Sequence, residues 1–100
     1  MQSKRNMDFE TFKQSINNKI PPVGVPVYLL ALWYDAIGDW DQAHALVDSL
    51  EDGPACHVHA YLHHKEGEVG NADYWYRRAH KKRPSVSLPE EWEMIVEALL

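Results

Sequence analysis

The sequence predicts an all-α domain of about six helices, and three observations carry that prediction. Apolar residues recur at helical spacing in one segment after another, beginning with Phe9, Phe12 and Ile16. Glycine and proline fall chiefly between those segments, at Pro21-Pro22, Gly38, Gly53-Pro54, Gly67 and Pro84. No stretch shows the alternation or β-branched clustering of a strand. At 100 residues the chain fits one domain and is too short for two. Such a chain hides about 65% of its unfolded surface on folding, enough for a core without staples.

The first helix is expected over about Asp8 to Lys19, behind a flexible N-terminus of residues 1–7. Ile20-Pro21-Pro22-Val23-Gly24-Val25-Pro26 then breaks the chain, and Pro26 suits a first helical turn because its missing amide is one that turn cannot use. A second helix, about Val27 to Ile37, is apolar nearly all round, which makes it central. Gly38 ends it with a left-handed cap. Asp39 starts the third helix, with Gln42 placed as in a capping box, and the helix continues to Leu50. Turns are expected at Gly38, Gly53 and Gly67. The fourth helix spans about Ala55 to Glu66 and the fifth about Val69 to Lys82, closed by Pro84. A sixth, about Pro89 to Leu99, starts behind Ser87 and buries Trp92, Ile95, Val96 and Leu99.

The chain also repeats itself. A shift of twenty-nine residues sets Ala31 on Ala60, Gly38 on Gly67, Asp39 on Glu68, Gln42 on Asn71 and Ala43 on Ala72. The pattern resembles the tetratricopeptide repeat. Val27, Leu30, Ala31, Tyr34, Gly38, Ala43, Val47 and Leu50 fill its signature places in the first unit. Cys56, His59, Ala60, His63, Gly67, Ala72, Tyr76, Ala79 and Pro84 fill them in the second. The resemblance covers residues 25–84 and departs from the family in its shorter period, in the two histidines and in having two units only. It implies two helical hairpins flanked by an N-terminal and a C-terminal capping helix within one domain, residues 8–100. The second half, from His59-Ala60-Tyr61-Leu62-His63-His64 to Ala79, is also similar to a group of small bacterial proteins that carries no established activity.

Composition narrows the function. With 45% apolar and 25% charged residues the chain is an ordinary globular one. Its formal charge of −5 argues against a general nucleic-acid binder, although six histidines would more than cancel that charge on protonation. A single cysteine, Cys56, excludes an internal disulfide and a cysteine-rich zinc site. No apolar run follows Lys4-Arg5, and none approaches the ~18 residues of a membrane span, so a cytoplasmic location is expected.

Three clusters carry chemistry. His59 and His63 stand one helical turn apart, with Glu66 beyond them, a spacing that aims two imidazoles at one ion. A full site needs a further ligand, for which Glu68 and His80 depend on how the chain folds. Inward repeat positions favour the simpler reading of core histidines bonded to neighbours, and neither metal nor cofactor is expected. In tetratricopeptide proteins the concave face binds peptides, and here the resemblance places Tyr28, Asp35, His57, Tyr61 and His64 on it. Arg77, Arg78, Lys81, Lys82 and Arg83 complement the dipole of their own helix and lie near Glu90, Glu91 and Glu93. Internal compensation is the expectation there, with no nucleic acid and no membrane as partner. No phosphate loop or serine–histidine constellation points to an enzyme. The sequence therefore favours a protein–protein interaction module, monomeric or homodimeric, binding another protein or a peptide. Its alternative is a small enzyme or metal-binding protein using a polar pocket around His59, His63 and Glu66.

Overall fold

Six helices form in the computed structural model, which describes residues 7–100: α1 Phe9–Asn18, α2 Val27–Ala36, α3 Trp40–Val47, α4 Gly53–Lys65, α5 Val69–Arg78 and α6 Leu88–Leu99. There is no strand among the described residues, of which 67% are helical, so the predicted class holds. The expected flexible N-terminus lies outside the described residues, except for Met7, which packs against the core. No described helix is long and apolar enough to cross a membrane.

Two helical hairpins, α2 with α3 and α4 with α5, form the frame. Their turns are built alike. Gly38 and Gly67 take φ of 92° and 83°, conformations an L side chain rarely adopts. Gly38 N–H donates to the Asp35 carbonyl and Asp39 N–H to that of Tyr34, at 3.0 and 2.9 Å. The same two distances recur from Gly67 to His64 and from Glu68 to His63, the positions in register.

Elsewhere the boundaries shift. Gly53 is no turn; it opens α4 behind Asp52, and Pro54 sits in the first turn where no amide is required. α3 stops at Val47, short of Leu50. α5 stops at Arg78 rather than Lys82, because His80 enters the left-handed region at φ 59° and Lys81 N–H folds back on the Tyr76 carbonyl at 2.9 Å. Gln42 N–H is capped by Asp39, whereas the reciprocal capping box belongs to Ser87 and Glu90 on α6.

The core lies where α2 and α4 meet α1 and α6. Phe12, Leu32, Trp33, Val58, Leu62, Ile95 and Val96 close one cluster. The Trp92 indole packs against Phe9 and Phe12 and donates to the Leu32 carbonyl at 3.0 Å, fastening both flanking helices to α2.

Ala43 and Ala72 are both fully buried, the second beside Ala60 and Tyr76. Small side chains there let neighbouring helices approach closely. Ala43→Leu and Ala72→Leu should each cost about 1–3 kcal/mol by overpacking, whereas Ala98→Leu, at an exposed position, should be nearly silent. Denaturant unfolding of the three variants checks this. Parental stability in the first two would show that the helices do not touch at these alanines.

Candidate metal centre

His59 and His63 lie on the face of α4 that receives both α3 and α5. They are not alone there. α3 delivers His44, so that three imidazoles meet through their Nε2 atoms. His59 Nε2 lies 3.1 Å from that of His44 and 3.1 Å from that of His63. One ring nitrogen from each residue falls within 4.8 Å of the others. For comparison, nitrogens held tetrahedrally at ~2.0–2.1 Å from a zinc ion sit ~3.3 Å apart.

Aromatic neighbours hold the rings in place. Trp40 stacks on His44 at 4.8 Å and 10°, and Trp75 stacks on His59 at 4.0 Å and 19°. The Trp40 indole is itself fixed by a 2.9 Å bond to the Leu62 carbonyl. On the far side of His63, Nδ1 meets the Glu68 carboxylate at 2.8 Å, while Asp48 stands 3.8 Å from His44 Nδ1. Carboxylates at the outer nitrogens of metal-bound histidines set the tautomer and raise ligand basicity. Glu68 is informative in a second way. It occupies the N-cap of α5 yet makes no side-chain cap, its carboxylate being turned to His63 instead.

A proton count shows which hydrogen bonds the three rings can make. A neutral imidazole carries one N–H. That of His63 belongs on Nδ1, against Glu68, which leaves its Nε2 a bare acceptor. His59 Nδ1 is buried without a partner. A proton on His59 Nε2 serves His63 Nε2 while Nδ1 goes unmet. A proton on Nδ1 is an orphaned donor and sets the lone pairs of His59 and His63 against each other. Either tautomer leaves His59 Nδ1, a buried polar atom, unsatisfied, a cost of about 1–3 kcal/mol. Burial, reinforced by His44 and His63, holds the His59 pKa down to about 4, so this ring is neutral and able to ligate at neutral pH. That neutral form contributes stability above pH ~6.5 that is lost as pH falls toward 4.

The other expected site residues have different fates. Glu66 is exposed at the C-cap of α4 and is not part of the three-histidine set. Asp35 and Tyr61 are buried, Asp35 in an ion pair with Lys65 at 3.0 Å, and both line a cleft of about 490 Å³ between α1, α2 and α6. His64 Nδ1 lies 3.1 Å from buried Glu91, which also accepts from the Tyr76 hydroxyl. His57 is half-buried edge-on to Tyr76, and Tyr28 packs at the margin of the core. α6 thus lies against α2 and α4 and engages His64, while Asp35 and Tyr61 stay on the cleft. In the basic cluster, Arg83 pairs with Asp73 at 2.9 Å and Arg78 with Glu51 at 3.4 Å. These replace the expected partners, since Glu90 caps α6 and Glu91 faces Tyr76 and His64. Cys56 is buried, which raises its thiol pKa and makes it a core side chain.

His44 is the residue that sequence reasoning missed. In the repeat register it falls on Asp73, so the alignment offers no histidine to match it. Its signal is local: it follows the close-contact residue Ala43 and stands one turn from both Trp40 and Asp48.

Comparisons with protein-family models, with curated proteins and with solved structures returned no match.

Proposed function

We propose that this chain is a metal-binding helical domain whose His44, His59 and His63 hold one divalent transition-metal ion of the zinc type. The observation that supports this most is the convergence of three imidazole Nε2 atoms, with the Nδ1 side of His63 held by Glu68 so that its Nε2 lone pair faces inward. A cation at their centre accepts all three lone pairs at once. Imidazole donors suit zinc, nickel and copper. Zinc is the natural choice because two of the three separations, 3.1 Å each, are near the ~3.3 Å of a tetrahedral site, and His44 and His63 lie within 4.8 Å of each other. This reading is preferred to a peptide groove because two of the expected groove side chains are engaged within the chain, His64 by Glu91 and Asp35 by Lys65. It departs from the sequence expectation of metal-free core histidines because His44 supplies the third donor.

Isothermal titration of the metal-free protein with zinc tests it. One ion per chain is expected. His44→Ala, His59→Ala and His63→Ala should each lose at least ~100-fold in affinity, and Glu68→Gln about 10–100-fold. Glu66→Ala is the control and should bind as the parent does. Zinc held at ~100 times its Kd should add about 2.7 kcal/mol to folding stability. A parent that takes up no zinc, or a His44→Ala variant that binds as tightly, would overturn the assignment.

A further inference from the structure

The surroundings of the three histidines say what completes the coordination of a bound ion. Among the described residues no fourth histidine, cysteine or carboxylate joins the set. The Glu68 and Asp48 carboxylates face the outer Nδ1 atoms of His63 and His44, and about half of each side chain is exposed. Trp40 and Trp75 cover the His44 and His59 rings. The polar group beside the donor atoms is Asn71, in the first turn of α5, whose amide nitrogen lies 3.5 Å from His63 Nε2. Asn71 is exposed and a quarter of the His44 side chain is accessible, so water reaches this end of the cluster. Three neutral imidazoles bring no charge of their own, and the Glu68 and Asp48 carboxylates reach the ion only through the rings, so a small anion bound directly would offset its remaining charge.

Resting on the three-histidine reading, we propose that the fourth position on the ion belongs to a small exogenous anion, exchangeable with solvent and oriented by the Asn71 amide. An amide is a weak ligand beside imidazole but a good hydrogen-bond donor to a bound anion. Three protein ligands with a solvent-facing fourth position is the pattern of reactive rather than purely structural zinc sites.

Cobalt(II) loading followed by azide titration tests this, since visible cobalt bands report the donor set directly. The loaded parent should show tetrahedral cobalt bands that shift saturably with azide. Asn71→Ala should retain cobalt within a few-fold yet bind azide about 10-fold more weakly. Cobalt bands indifferent to azide would mean that the protein closes the site, which overturns the exchangeable position while leaving metal binding intact. Unchanged azide affinity in Asn71→Ala would overturn the role of that amide. Absence of cobalt uptake by the parent would overturn the underlying three-histidine reading instead.

Discussion

Trp33→Ala should destabilise the domain by about 3–5 kcal/mol, with a fall in Tm of well over ~10 °C. Trp33 is 1% exposed at the centre of α2, among the largest fully buried side chains. Its indole N–H donates to the Ser15 hydroxyl at 3.1 Å, and that hydroxyl donates to the Phe12 carbonyl at 2.6 Å. Truncation therefore opens a cavity and also releases the last turn of α1. Trp33→Phe separates the two effects. It keeps a ring and loses the Ser15 bond and part of the volume, for about 1–2 kcal/mol. Thermal and chemical unfolding followed by circular dichroism measures both variants. If Trp33→Ala unfolds within ~1 kcal/mol of the parent, α1 and α2 are not joined through this residue.

Glu91→Ala carries the second large effect, about 3 kcal/mol. Glu91 is 1% exposed, bound to the Tyr76 hydroxyl on α5 and to His64 on α4, so it pins α6 to the second hairpin. Burial and the Glu91 carboxylate both push the Tyr76 phenol pKa up, which keeps its proton available for this bond. Removing the carboxylate leaves a buried hydroxyl with no acceptor of equal strength. Glu91→Met combined with Tyr76→Phe removes the hydroxyl together with its acceptor and should recover part of the loss, with His64 alone left to find water. Should the double variant prove as unstable as Glu91→Ala, packing rather than the polar network is what Glu91 supplies.

Much of the architecture was legible in the sequence because it rests on local chemistry. Gly38 and Gly67 announce left-handed turns, Asp39 and Ser87 announce caps, and each does what its residue type does best. Boundaries failed where a residue acts against type. His80 takes a left-handed conformation without being glycine, and Gly53-Pro54 opens a helix instead of breaking one. The candidate site was half legible. His59 and His63 share a helix, so spacing alone couples them. His44 joins from α3 through packing between hairpins, which no spacing rule encodes. Glu66 looked right by the same periodicity, yet the turn at Gly67 brings Glu68 to His63.

The bond from Trp92 to the Leu32 carbonyl joins residues sixty positions apart, and α6 also contributes Ile95 and Val96 to the main core. On a ribosome, synthesis runs from α1 toward α6. The two hairpins can therefore form locally while their shared apolar face waits, exposed, for the last helix to emerge. During that interval Phe12 lacks the Trp92 ring that packs on it and the Leu32 carbonyl lacks its donor. Truncation before α6 would hold it in that sticky form.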